Sequence, residues 1–75
     1  MAITLRWEDF YFYLKAGHLY KIMFYDRTNR ITRTEEGFIS GKGRVGIEFE
    51  VIEDNIGITT TNIRYKDIRA AQEIV

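Results

Sequence analysis

The sequence predicts a mainly β chain: a short N-terminal helix followed by five strands in a small, strongly bent barrel, in a single domain over residues 1–75. Three observations predict it. Between Arg44 and Glu53, Val45, Ile47, Phe49 and Val51 alternate with Gly46, Glu48, Glu50 and Ile52 at the two-residue period of a half-buried strand. Asp, Asn and Gly recur at short intervals, as in Asp26-Arg-Thr-Asn-Arg30 and Ser40-Gly-Lys-Gly43, which is the punctuation of tight turns between short strands. Finally, 75 residues with 45% hydrophobic side chains fill one small core and leave no room for a second.

The helix comes first. Trp7, Phe10, Tyr11 and Leu14 recur at the i, i+3, i+4, i+7 spacing of one helix face, and Ala16-Gly17 supplies a stop. The run Phe10-Tyr-Phe-Tyr13 is equally good strand material. Glu8 and Asp9 in front and Lys15 behind complement a helix dipole and favour the helix. His18 to Asp26 reads as the first strand and is apolar on both faces, Leu19, Met23 and Tyr25 on one and Tyr20, Ile22 and Phe24 on the other. Such a strand needs two covers: the barrel interior on one side, the helix or a neighbouring subunit on the other.

After the Asp26–Arg30 turn an extended pattern resumes at Ile31 and passes through Thr32, Thr34, Phe38 and Ile39. Gly37 marks a bulge or bend that lets this long second strand turn from one side of the barrel to the other. Ser40 to Gly43 makes the next reversal, with two glycines free to take positive φ. Arg44 to Glu53 is the third strand, Asp54-Asn-Ile-Gly57 the turn after it, and the β-branched Ile58 to Ile63 the fourth strand. The tail from Tyr65 fits either a short helix or one helical turn at Tyr65 to Asp67 followed by a closing strand. The second is preferred, because Ile74 and Val75 are β-branched and little chain is left to cap a helix. The lack of proline fits strands of which none need be an edge.

Eleven basic and eleven acidic side chains cancel to a formal net charge of zero, which removes the plainest electrostatic sign of a nucleic-acid binder. The charges are still sorted: Arg27, Arg30, Arg33, Lys42 and Arg44 gather in one stretch, and Glu48, Glu50, Glu53 and Asp54 follow it. With no cysteine, neither a disulfide framework nor a thiolate metal site is expected, and an intracellular setting is the natural one. No apolar run nears the roughly 20 residues that span a bilayer, and the start Met-Ala-Ile-Thr-Leu-Arg lacks the order of a signal peptide. A cytoplasmic protein with no membrane partner is expected.

The order helix, Leu19 to Asp26, Arg30 to Gly43, Arg44 to Glu53, Gly57 to Ile63, and then Ile63-Arg-Tyr-Lys-Asp-Ile68 resembles the small SH3-like and Sm-like barrels, including the bacterial YolD-like proteins. In those, a short turn of the form aliphatic-x-aromatic-x-Asp-Ile separates the last two strands, and Ile63 to Ile68 has that form. The Sm signature, an Asp-x-x-x-Asn loop and a later Gly-Asp or Arg-Gly pair, is missing. Asp26 and Asn29 are too close, and Asn62-Ile-Arg64 is not Arg-Gly. The resemblance therefore implies the barrel and does not carry over the Sm RNA pocket.

Motifs that carry chemistry are absent. His18 is the only histidine, makes a poor metal site without a second histidine or a cysteine, and reads as a linker residue after Gly17. Glu48 and Glu50 share a strand face, as an acid and a base can, but both belong to the polar half of a clean alternation and read as solvated. Thr59-Thr60-Thr61 is strand material rather than a nucleophile. Gly41-Lys42-Gly43 lacks the flanking glycine and Ser or Thr of a phosphate loop and reads as a turn. No catalytic residue, cofactor, metal or small-molecule substrate is expected.

Two surfaces remain. Eight of the eleven aromatic residues lie within the first 25 positions, and Tyr11, Phe12, Tyr13 and Tyr20 cannot all be buried inside so small a barrel. Exposed tyrosines favour protein contacts, so Tyr11, Tyr13 and Tyr20 are the candidate protein-interaction residues. The competing reading lays the helix across the barrel mouth and covers them within the chain. Arg27, Arg30, Arg33, Lys42 and Arg44 are the candidate nucleic-acid-binding residues, with Tyr20, Tyr25 or Phe38 as stacking rings. Against this, they can form a solvated hairpin tip paired with Glu35, Glu36 and Glu48. The sequence points first to a non-enzymatic protein-interaction module, an accessory protein of the phage or mobile-element kind or a homo-oligomer. Its second reading is a nucleic-acid-binding barrel.

Overall fold

The alternation that marks the strands also sorts their side chains into a core. The computed structural model describes residues 7–53 and 57–74, apart from the side chains of Trp7 and Glu8. A short helix, α1 (Trp7–Tyr13), precedes β1 (Leu19–Asp26), β2 (Ile31–Lys42), β3 (Gly46–Glu53), β4 (Gly57–Arg64) and β5 (Ile68–Glu73), and a 3-10 turn (Tyr65–Asp67) joins the last two strands. The five strands form one antiparallel sheet in the order β4-β3-β2-β1-β5. The strands at its two ends, β4 and β5, are thus consecutive in the chain. No ladder joins them among the described residues.

One face of that sheet is buried: Tyr20, Ile22 and Phe24 from β1, Ile39 from β2, Ile47, Phe49 and Val51 from β3, Ile63 from β4 and Ile68 from β5. Phe10, Leu14 and Tyr65 complete the cluster. Each such side chain contributes about 1.5–3 kcal/mol when fully removed from water. One short helix and one turn are too small to cover five strands, so the sheet is concave around its own side chains. Close approach of the strands depends on two glycines. A Cβ at Gly37 would overlap the Glu50 carbonyl oxygen, and one at Gly46 would overlap that of Ile63.

The structure changes several expectations. The second strand does not stop before Ser40: it runs on to Lys42, because a register shift between Ile39 and Gly41 takes up Ser40 as the extra residue. The reversal falls at Gly43–Val45 and is closed by the Gly43 N–H donating to the Gly46 carbonyl at 2.9 Å. Val45, expected on the buried face of the third strand, therefore lies in the turn and is 68% exposed. The first strand has one covered face, not two: Leu19 and Met23 are exposed, because α1 packs on the 3-10 turn rather than on them.

Gly37, expected at a bulge or bend, pairs in register with Tyr20 and Val51, and the bulge of β2 falls at Ser40 instead. Phe10 in α1 and Leu14 just after it are buried one helical turn apart, the Leu14 N–H donating to the Phe10 carbonyl at 3.0 Å; the inward position expected for Trp7 lies outside the described side chains. Asp54 to Ile56, the core of the expected third turn, also lies outside the described residues. The strands flanking it pair through Glu53 and Gly57, and Gly57 takes φ +96°. The tail is a helical turn and then a strand. Among the described residues no helix is long and apolar enough to cross a membrane.

Candidate functional site at the α1 end

Tyr20 sets the position of α1. Its hydroxyl accepts a hydrogen bond from the Lys15 N–H at 2.8 Å and donates to the Tyr13 carbonyl at 3.3 Å. It is wholly buried, and burial raises its pKa above the ordinary 10.0. Tyr20 is therefore a core residue and not part of an exposed interaction face, as its alternation with Ile22 and Phe24 requires. Lys42, from the end of β2, donates its Nζ to the Tyr11 carbonyl and stands 4.6 Å above the Tyr11 ring. A cation there answers the unpaired carbonyls at the helix C-terminus, for which α1 has no basic residue of its own in its last turn.

What these anchors leave outside is aromatic. Tyr13 accepts the Glu73 N–H at 3.3 Å and tilts its ring against Tyr20, with centroids 5.9 Å apart. Tyr11 sets its edge against Tyr65 at 5.8 Å and against Phe12 at 5.1 Å. Between the exposed Tyr11 and Tyr13, Phe12 is the most open of the three at 76% exposed. Two of the three candidate tyrosines thus flank a phenylalanine that the sequence reading did not choose.

The five candidate cations are not brought together. β2 separates Arg27, Arg30 and Arg33 at one end from Lys42 and Arg44 at the other. Arg27 forks onto Asp67, with Nε to Oδ2 at 2.8 Å and Nη2 to Oδ1 at 2.9 Å. That hydrogen bond holds the buried Asp67 carboxyl below its ordinary 3.8, against the desolvation that would raise it. Asp26 accepts the N–H groups of Thr28 at 3.0 Å and Asn29 at 3.3 Å, with the Asn29 side chain at 2.8 Å, an Asx turn. The Asn29 bonds also lower the Asp26 pKa. Arg33 is half-buried, 3.4 Å from the Asp26 carboxylate, 3.8 Å from Glu35 and 5.3 Å above the Phe24 ring. Arg30 is exposed in the turn with φ +58°.

A different cation cluster does form, and Tyr65 builds it. Its main-chain N–H donates to the Val45 carbonyl at 3.0 Å, and its hydroxyl donates to the Gly43 carbonyl at 2.7 Å. The Gly43–Val45 turn is thereby fastened to the 3-10 turn. Arg44, Val45, Arg64 and Lys66 consequently line one cleft of about 330 Å³. Arg64 and Lys66 were not chosen from the sequence. Their signal is the alternation Arg64-Tyr65-Lys66, in which a buried tyrosine sends both neighbours outward. Since Tyr65 also touches Tyr11, the aromatic ridge and the cationic cleft share one end of the molecule.

The other singled-out groups are dispersed. His18 Nδ1 lies 3.0 Å from Glu73 Oε2, both partly exposed. Glu48 and Glu50 face outward opposite Asn62 and Thr60. Among the described residues no cluster of His, Cys, Asp and Glu could hold a metal ion. Comparison with protein-family models, curated proteins and solved structures finds no match.

Proposed function

We propose that this chain is a non-enzymatic protein-interaction module on a small barrel of the SH3 or Sm type, with Phe12 at the centre of its contact surface. Two features support the barrel: the sheet order, which leaves β4 and β5 at its ends, and the 3-10 turn that joins them. The observation that carries the function is the exposure of Phe12 between Tyr11 and Tyr13. An aromatic side chain left in water costs burial free energy that a contact recovers, and Tyr neighbours bring contact area at low entropy cost. The ridge is also preorganised, since Tyr20, Lys42 and Glu73 fix the helix that bears it.

Photo-crosslinking tests this. With p-benzoylphenylalanine in place of Phe12, irradiation of the purified chain should give covalent dimers; the same probe in place of the exposed Thr32 should give none. Equal yields at the two positions would remove the ridge as a specific contact.

A further inference from the structure

A net charge of zero hides a separation of charge on this molecule. Around Val45, which is 68% exposed, stand Arg44, Arg64 and Lys66; among the described residues no acidic side chain lines that cleft, and Glu48 lines the adjoining one with Val45 and Arg64. Farther along β3 the pattern inverts. Ile52 and Ile58 are directly paired across β3 and β4 and are 59% and 60% exposed. Glu50 shares their face one alternation back along β3, and Glu36 shares it on β2, next to the Gly37–Val51 pair and directly across from Lys21 of β1, which leaves Glu50 as the acid nearest the two isoleucines without a cation paired to it across the ladder. Val45 and Ile52 are separated by about 23 Å of extended chain, so the two patches do not cover each other.

We propose that copies of this chain associate head to tail, the cationic cleft around Val45 of one copy seated on the acidic face around Ile52 and Ile58 of the next. Each patch has an apolar centre with charge beside it, which is the anatomy of a specific interface, and the signs are opposite. Because the patches differ, the contact is heterologous and can extend to further copies. The cleft is preformed, since both hydrogen bonds from Tyr65 hold its two halves together before any partner arrives. A second copy fits this cleft better than a nucleic-acid strand does. The centre of the cleft is an aliphatic side chain rather than a ring on which a base could stack, and the neutral chain offers a polyanion no long-range attraction. This contact is separate from the α1 ridge and goes beyond the function proposed above.

The test is charge reversal with complementation, in a Phe12→Ser background that removes the ridge. Molar mass at low salt should exceed 8.9 kDa, and added salt should weaken the association about tenfold or more. Arg64→Glu with Lys66→Glu should give a monomer, and so should Glu36→Lys with Glu50→Lys. Mixing the two variants should restore a one-to-one dimer, because one intact contact re-forms between them. Circular dichroism must show both variants folded; if the double variants unfold, Arg64→Glu and Glu50→Lys alone carry the same mixing test. A monomeric background at low salt, or folded variants that stay monomeric when mixed, would overturn the proposal and leave the ridge reading intact. A raised ratio of absorbance at 260 to 280 nm across the peak, lost with Arg64→Glu, would give the cleft to nucleic acid instead.

Discussion

Arg27 and Asp67, 40 residues apart in sequence, meet in a two-point ion pair in which the carboxylate is buried and the guanidinium remains half in water. The pair ties the turn after β1 to the turn before β5. Its two ends are not equivalent. Removing Arg27 strands a buried charge, whereas removing the charge of Asp67 leaves a cation that water solvates.

Arg27→Ala should therefore lower stability more than Asp67→Asn does, read as urea midpoints at neutral pH. The pH dependence has a definite sign. The folded-state pKa of Asp67 is lowered from 3.8, so its contribution is complete above about pH 4 and is lost as the pH falls through the folded value. In Arg27→Ala burial raises the pKa against only the weaker pull of Arg64 and Arg69, so the acid loss should begin at higher pH than in the wild type.

Gly37→Ala and Gly46→Ala should each cost about 3 kcal/mol or more, because the new Cβ would overlap a backbone carbonyl that a strand ladder holds in place. Gly41→Ala is the control. Its Cβ would come 3.1 Å from the Glu48 carboxylate, the far end of a flexible side chain, so a loss well under 1 kcal/mol is expected. Equal losses at Gly37 and Gly41 would contradict the close strand crossing.

Arg30→Gly should raise stability by about 0.5–1 kcal/mol, since Arg30 occupies the left-handed region at φ +58° and glycine does so without a Cβ penalty. The thermal midpoint should move up accordingly. A fall would mean that the Arg30 side chain makes a contact worth more than the strain.

Tyr65→Phe should cost about 1 kcal/mol by leaving the Gly43 carbonyl without its donor. The loss should also be local. Amide hydrogen exchange should quicken at Gly43 and Arg44 and stay unchanged in the middle of β1. Uniform quickening would argue that the hydroxyl supports the whole core rather than the turn.

Period-two alternation made the strands legible, from Ile47, Phe49 and Val51 to the β-branched run of β4, and it already placed Tyr20 with Ile22 and Phe24. Counting aromatics misled, because it grouped Tyr20 with Tyr11 and Tyr13 on chemistry when the strand period assigned it to the core. Val45 was misread because the alternation continues one residue past the point where Gly46 begins the ladder. The ion pair of Arg27, the cap from Lys42 to Tyr11 and the hydrogen bonds from Tyr65 to Gly43 and Val45 join residues 20 to 40 positions apart. The pairing of strands distant in sequence, β1 with β5 and β3 with β4, and the packing of α1 bring such pairs together, and no local pattern reports that. The cluster of Arg44, Arg64 and Lys66 stayed hidden for the same reason.

On the proposed function, the exposed ridge of α1 makes the protein contact. Molar mass by light scattering, with the 260 to 280 nm absorbance ratio read across the same peak, tests it most directly on the wild type and Phe12→Ser. The wild-type mass should exceed 8.9 kDa with a protein-like ratio, and Phe12→Ser should have a lower mass. A mass that Phe12→Ser leaves unchanged, or a ratio raised by bound nucleic acid, would contradict it.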